Sequence, residues 1–195
     1  MNNNISVVSN DATARTQVGC ATQRAEYLTI LGTKKVLELC VGPSLKTLET
    51  EYNKYDIEVS GNDIDIRWKR YYPAGRWHMG DAFALDYSAW DAVVFAPPLT
   101  KGCTGRREDA LRINEVRPGY RAFIDVLKRQ EYRGIAVLVL PGRAKADPVD
   151  RQQYADLISY IWRQNYFMVD ECPLSIGARR TVKYTDLYLT RGNND

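Results

Sequence analysis

Val36–Leu45, VLELCVGPSL, joins an apolar strand to a glycine turn and carries a carboxylate, Glu38, inside the strand. Gly42 has no side chain to keep a ligand away from the backbone, and a helix opening just after such a turn presents free amides. A strand, a tight turn and a helix in that order form the phosphate- or nucleoside-binding corner of open α/β sheets. The stretch therefore reads as a nucleotide-type cofactor site, and the rest of the chain decides which cofactor.

Further apolar runs of strand length follow at 57–61, 91–96 (DAVVFA), 135–140 (IAVLVL), 166–170 and 184–190, with a weaker one at 76–79. Several are apolar at consecutive positions, which suits strands buried on both faces of a parallel sheet. Helical spacing separates them: Leu45, Leu48 and Tyr52; Ile66 with Arg70; Tyr120, Phe123, Ile124 and Leu127; and Tyr154, Leu157, Ile158 and Ile161. The last of these helices has Asp147 as its cap and Pro148 at its first position. The final two runs are linked by polar turn residues without a helical pattern, which predicts an antiparallel hairpin at the sheet edge. The expected fold is α/β: an open, mostly parallel seven-stranded sheet with helices on both faces and a C-terminal antiparallel hairpin.

A chain of 195 residues, 45% hydrophobic and 26% charged, suits one globular domain over 1–195, with the polar residues 1–15 expected to be flexible. No apolar run reaches the roughly 20 residues of a membrane span, so a cytoplasmic protein without membrane contact is expected. Cys20, Cys40, Cys103 and Cys172 form no CxxC pair and His78 is the only histidine, so no metal site is expected. The net charge of +3 is unevenly spread. Residues 97–133 hold nine basic against five acidic residues, a surplus of four, whereas the segments on either side are nearly balanced.

Seven strands ending in a hairpin resemble the class I S-adenosylmethionine-dependent methyltransferases, over about Gln17 to Thr190. In that family the first strand ends in an acidic residue and a three-glycine loop, matched here by Glu38, Cys40, Gly42 and Ser44, so one glycine of three is kept. The resemblance implies S-adenosylmethionine as cofactor, its methionine part over Glu38 to Pro43, with Glu38 drawing the ammonium group. Asp63, 25 residues beyond Glu38 at the end of IEVSGNDID, would accept from the ribose hydroxyls, and Ile64 would pack on adenine. Asp65 is the weaker choice for the ribose. In GDAFAL, Asp81 would accept from the adenine amine, with Ala82 beside it.

The stretch FAPPL, 95–99, resembles the PP-motif of amino-directed nucleic-acid methyltransferases, which implies reaction at Ala96, Pro97, Pro98 and Leu99. A diproline fixes the backbone and removes competing amide donors. Ala96 stands where the family has a polar residue and Leu99 where it has an aromatic one. Near the N-terminus, TQVGCATQRAEYL is similar to a segment that precedes the cofactor loop in several of these enzymes, Gly19 and Thr22 matching and Gln23 replacing a proline.

The resemblance implies methyl transfer to an exocyclic amine of a nucleic-acid base, DNA adenine N6 or cytosine N4 ahead of RNA. Arg106, Arg107, Arg112 and Arg117 would contact phosphates and Tyr120 would stack on a displaced base. With no room for a separate target-recognition domain, either site specificity is low or a protein partner supplies it. Two alternatives stay open: a protein amide or small molecule as substrate, and a catalytically inactive platform that binds nucleic acid or a partner.

Overall fold

A computed structural model describes residues 11–42, 45–71, 75–97, 113–141, 148–176 and 181–192. Seven strands, β1 (Lys35–Leu39), β2 (Glu58–Asp63), β3 (Trp77–Met79), β4 (Ala92–Phe95), β5 (Ile135–Pro141), β6 (Tyr166–Ile176) and β7 (Thr181–Arg191), form one sheet in the order β3-β2-β1-β4-β5-β7-β6. The pairs from β3 to β5 are parallel, and β7 runs antiparallel to both β5 and β6. The expected hairpin is present and longer than its apolar runs, because its polar linker residues are absorbed into eleven-residue strands. Pro173 lies within β6, where an edge strand can do without one amide donor.

Helices α1 (Asp11–Ile30), α2 (Leu45–Asn53), α3 (Ile113–Arg129) and α4 (Pro148–Arg163) complete the layers. Two apolar clusters sandwich the sheet. On one face Ala21, Ala25 and Leu28 of α1 and Tyr52 of α2 meet Val36, Val94 and Val137. On the other, Phe123 and Leu127 of α3 and Leu157 and Ile161 of α4 meet Leu37, Phe95 and Leu138. Alternate strand residues point to opposite faces, so β1 sends Leu37 and Leu39 toward α3 and α4, and Val36 and Glu38 toward α1 and α2. Ile66–Tyr71 forms a 3-10 helix after β2, where the spacing had suggested a short helix. Asp147 lies outside the described residues. Among the described residues no helix is long and apolar enough to cross a membrane.

Candidate functional site

The carboxyl ends of β1, β2, β3 and β4 lie side by side, and these ends with the turns leaving them carry most of the described residues expected to act. After β1 the backbone turns left-handed twice, at Cys40 (φ 60°) and Gly42 (φ 54°). Cys40 occupies a glycine position of the loop pattern yet keeps the conformation that glycine favours, at a cost of about 1–2 kcal/mol. No heavy atom lies within 4 Å of where a Cβ on Gly42 would be, so the space over the turn is open. The Cys40 side chain packs against the cluster under α3 and α4, and burial, with the carboxylates of Asp63 and Asp81 adding to it, pushes its thiol up to about 11. The thiol is protonated at neutral pH and inert as a nucleophile. Cys40→Gly should change stability by less than about 1 kcal/mol, because relief of strain is offset by lost packing and a more flexible unfolded chain. A stability loss from urea curves larger than that would show that the thiol holds the turn.

Asp63 ends β2 and locks the turn from the neighbouring strand: its Oδ2 accepts from the Gly42 amide at 2.8 Å and its Oδ1 from the Asp65 amide at 2.9 Å. Ile64 is 77% exposed beside it, an apolar surface open to a ligand. Asn62 donates to the carbonyls of His78 (2.8 Å) and Gly80 (3.1 Å), which fixes the turn into Asp81. Asp81 is exposed and caps a 3-10 turn, Ala82–Ala84, by accepting from the Phe83 amide, while Tyr87 donates to the Ala82 carbonyl at 2.8 Å. Ala96 and Pro97 follow β4, both half-buried. Pro43, Ser44, Pro98, Leu99, Arg106, Arg107 and Arg112 lie outside the described residues.

Glu38 faces the layer of α1 and α2. Its carboxylate is 2% exposed, and Oε1 accepts from Arg24 Nη1 at 3.0 Å and from the Tyr52 hydroxyl at 2.5 Å. Arg24 also donates to both oxygens of Asp186 on β7, from Nε at 2.6 Å and Nη2 at 3.1 Å. Burial raises the Glu38 pKa against the pull of Arg24 and Tyr52. Burial likewise penalises the Arg24 charge, but Asp186 and Glu38 outweigh it and keep the guanidinium firmly protonated. One cation thus serves two carboxylates, and the network ties α1 and α2 to β1 and β7 beneath the loop. Sequence reasoning missed Arg24, Asn62 and Asp186. The signal for Arg24 was a charge on the helical stripe of Cys20, Ala21 and Leu28, which only an opposite buried charge can accommodate.

One expectation changes. Tyr120 is fully buried, packed edge-on against Phe95 with its hydroxyl donating to the Val139 carbonyl at 2.8 Å, so it cannot stack on a displaced base. It shares the helical stripe of Phe123 and Leu127, and the core claims it. Arg117 lies 3.5 Å from Asp156 and bridges α3 to α4. In the N-terminal segment, Thr22 donates to Glu51 of α2 at 2.5 Å, joining the two helices that cover this face.

No protein-family model matches the sequence, and neither does any curated protein. Solved structures do. The methyltransferase domain of the bacterial protein CtHen1 aligns with a TM-score of 0.59 at 13% identity, covering 91% of this chain and 100% of that one. A candidate RNA methyltransferase from Pyrococcus horikoshii gives 0.56 at 16%, over 92% of this chain and 83% of that one. The 1,6-didemethyltoxoflavin-N1-methyltransferase of Burkholderia thailandensis, with S-adenosylhomocysteine bound, gives 0.55 at 12%, over 90% and 80%. With the strand order 3-2-1-4-5-7-6 and the antiparallel β7, these likenesses identify the fold of this chain as that of the class I methyltransferases.

Proposed function

We propose that this protein transfers the methyl group of S-adenosylmethionine to an exocyclic amine of a nucleic-acid base, adenine N6 or cytosine N4, with DNA ahead of RNA. The observation that carries this reading is a register. Leu39 of β1 pairs with Phe95 of β4, so the Cys40–Gly42 turn and the Ala96–Pro97 turn leave adjacent strands at the same level. A ligand lying over the first turn has one end beside the second.

The residues fit the cofactor. Open space over Gly42 admits the methionine part, and the excess negative charge of Glu38, Asp186 and Arg24 lies beneath the loop, where it favours an ammonium group. Each Asp63 oxygen keeps a further lone pair for a ribose hydroxyl, Ile64 covers the adenine face, and Asp81 with Ala82 meets its edge. When bound, the cofactor supplies an electrophilic methyl group on a sulfonium. The Ala96 carbonyl accepts from the target amine and Pro97 offers no competing donor, so the nitrogen would be oriented without a side-chain base; the products would be the methylated amine and S-adenosylhomocysteine, with the amine's lost proton passing to water.

The basic segment 97–133 supports an anionic polymer as substrate, with Arg106, Arg107 and Arg112 on phosphates and Arg117 joining them if it leaves Asp156. The likeness to a candidate RNA methyltransferase is in keeping with this; site specificity is either low or supplied by a protein partner. One observation favours a small-molecule substrate as second reading: the Burkholderia thailandensis enzyme of the same fold is named for a small heterocycle. Incubation with methyl-labelled S-adenosylmethionine and mixed DNA and RNA separates the readings. Label should enter DNA. Binding of the cofactor with transfer to neither polymer would leave the small-molecule reading, and no cofactor binding would leave only an inactive platform.

A further inference from the structure

Ile66–Gly80 places Arg67, Lys69, Arg70 and Arg76 in fifteen residues without a single carboxylate. The surplus of four matches that of 97–133 in less than half the length. The 3-10 helix Ile66–Tyr71 starts three residues after Asp63, at the edge of the sheet that carries the cofactor loop. Lys69 and Arg70 are exposed, Ile66 is 53% exposed, and the Arg67 guanidinium carbon lies 5.8 Å from the centroid of the half-buried Trp68 ring. Arg67 pairs with Asp65 at 2.5 Å, and Arg76 pairs with Glu49 at 2.9 Å and reaches Glu58 at 3.9 Å. The Arg67 pair, with its guanidinium 77% exposed, is of the weak surface kind, whereas the Arg76–Glu49 pair is partly buried; in either, a phosphate can take the place of the carboxylate.

The cofactor does not account for this charge. S-adenosylmethionine has no phosphate and carries a sulfonium and an ammonium, so cations gathered at its adenosine end repel it unless another anion is present. Cations interleaved with an accessible indole and an exposed aliphatic side chain are the surface that single-stranded nucleic acid binds, phosphates on the first and bases on the second. We infer that the 3-10 helix Ile66–Tyr71, with Arg76, is a track for single-stranded nucleic acid on the adenosine side of the cofactor loop. β2 is two strand spacings from β4, about 10 Å, so a strand seated here reaches the Ala96 turn within a few nucleotides. The inference rests on the nucleic-acid reading of the substrate.

Fluorescence anisotropy with labelled single-stranded DNA and RNA of about 12 nucleotides tests it on the full chain, between about 50 and 200 mM salt. Lys69→Ala/Arg70→Ala should weaken binding about tenfold at low salt and flatten the salt slope by about 1.4, two phosphates at about 0.7 each. Trp68→Ala should weaken binding and leave the slope unchanged. Calorimetric affinity of the double variant for S-adenosylmethionine should stay within about twofold, since two exposed side chains are removed. Wild-type binding of either polymer that the double variant reproduces, slope included, overturns the track and spares the substrate reading. Absence of wild-type binding to both polymers overturns both, and the relative affinities for DNA and RNA show which the track prefers.

Discussion

Arg24→Met should lower folding stability by on the order of 3–5 kcal/mol at neutral pH, the largest effect of any single side-chain truncation near the site. Methionine fills much of the space of the arginine stem but leaves Glu38 and Asp186 buried with no cation between them. Removing one partner of a buried ionic network is costly because the remaining charge cannot regain its water. The loss should depend on pH. Burial already raises the Glu38 pKa and Arg24 pulls against it, so the variant's folded-state value rises further while the unfolded value stays near about 4.3. A carboxyl group whose folded pKa lies above its unfolded pKa takes up protons on folding, so stability falls as pH rises between the two values and recovers as pH falls. The deficit against wild type should therefore shrink from pH 7 to pH 5. Replacing all three groups together by apolar residues of similar volume should recover most of the loss. Urea curves at both pH values check this, and a deficit below about 1 kcal/mol at pH 7 would show that water or another group neutralises the pair.

The strands and their mostly parallel sheet were legible because burial on both faces leaves no room for alternation, whereas the order 3-2-1-4-5-7-6 came from the structure. IAVLVL and DAVVFA can be little else than central parallel strands, and β5 and β4 are that. The stripe of Tyr120, Phe123, Ile124 and Leu127 predicted the inner face of α3, and all four are fully buried. That success also undoes the separate assignment of Tyr120 to a base, since one side chain cannot serve both. Asp63, Asp81 and Ala96 could be placed because an open sheet sends its loops to one edge, whatever their sequences. Other features were hidden for physical reasons. Whether Glu38 faces up the sheet edge or into a helix layer depends on pairing with Arg24 and Asp186, groups 162 residues apart in the chain. The family pattern put Cys40 at a glycine position, but that the backbone keeps the left-handed geometry there without a glycine, at the expense of strain, needed the structure. The cationic 3-10 helix escaped notice because twelve carboxylates elsewhere in residues 1–96 cancel its charge in any long window.

Asp63→Ala should weaken binding of S-adenosylmethionine about a hundredfold or more. A carboxylate accepting from two ribose hydroxyls contributes about 1.5–3 kcal/mol for each hydrogen bond, and a water molecule entering the vacated space keeps the loss toward the lower end. A second contribution comes from the protein itself. The same carboxylate holds the Gly42 and Asp65 amides, so its removal frees the turn on which the proposed cofactor site is built, and binding there would have to order the turn again. The two contributions separate in a comparison. Asp63→Asn keeps an acceptor for the Gly42 amide but loses the charge, so it should bind more tightly than Asp63→Ala and more weakly than wild type. Asp65→Ala should leave affinity within about twofold, because Asp65 is paired with Arg67 on the surface and two residues further from the loop. Calorimetry read beside urea curves decides the matter. An Asp63→Ala protein that stays folded and binds the cofactor as wild type does would remove the ribose from this strand end, and with it the reason for placing adenine on Ile64. A folded variant with the affinity gone would tie the cofactor to the carboxylate that joins the ends of β1 and β2.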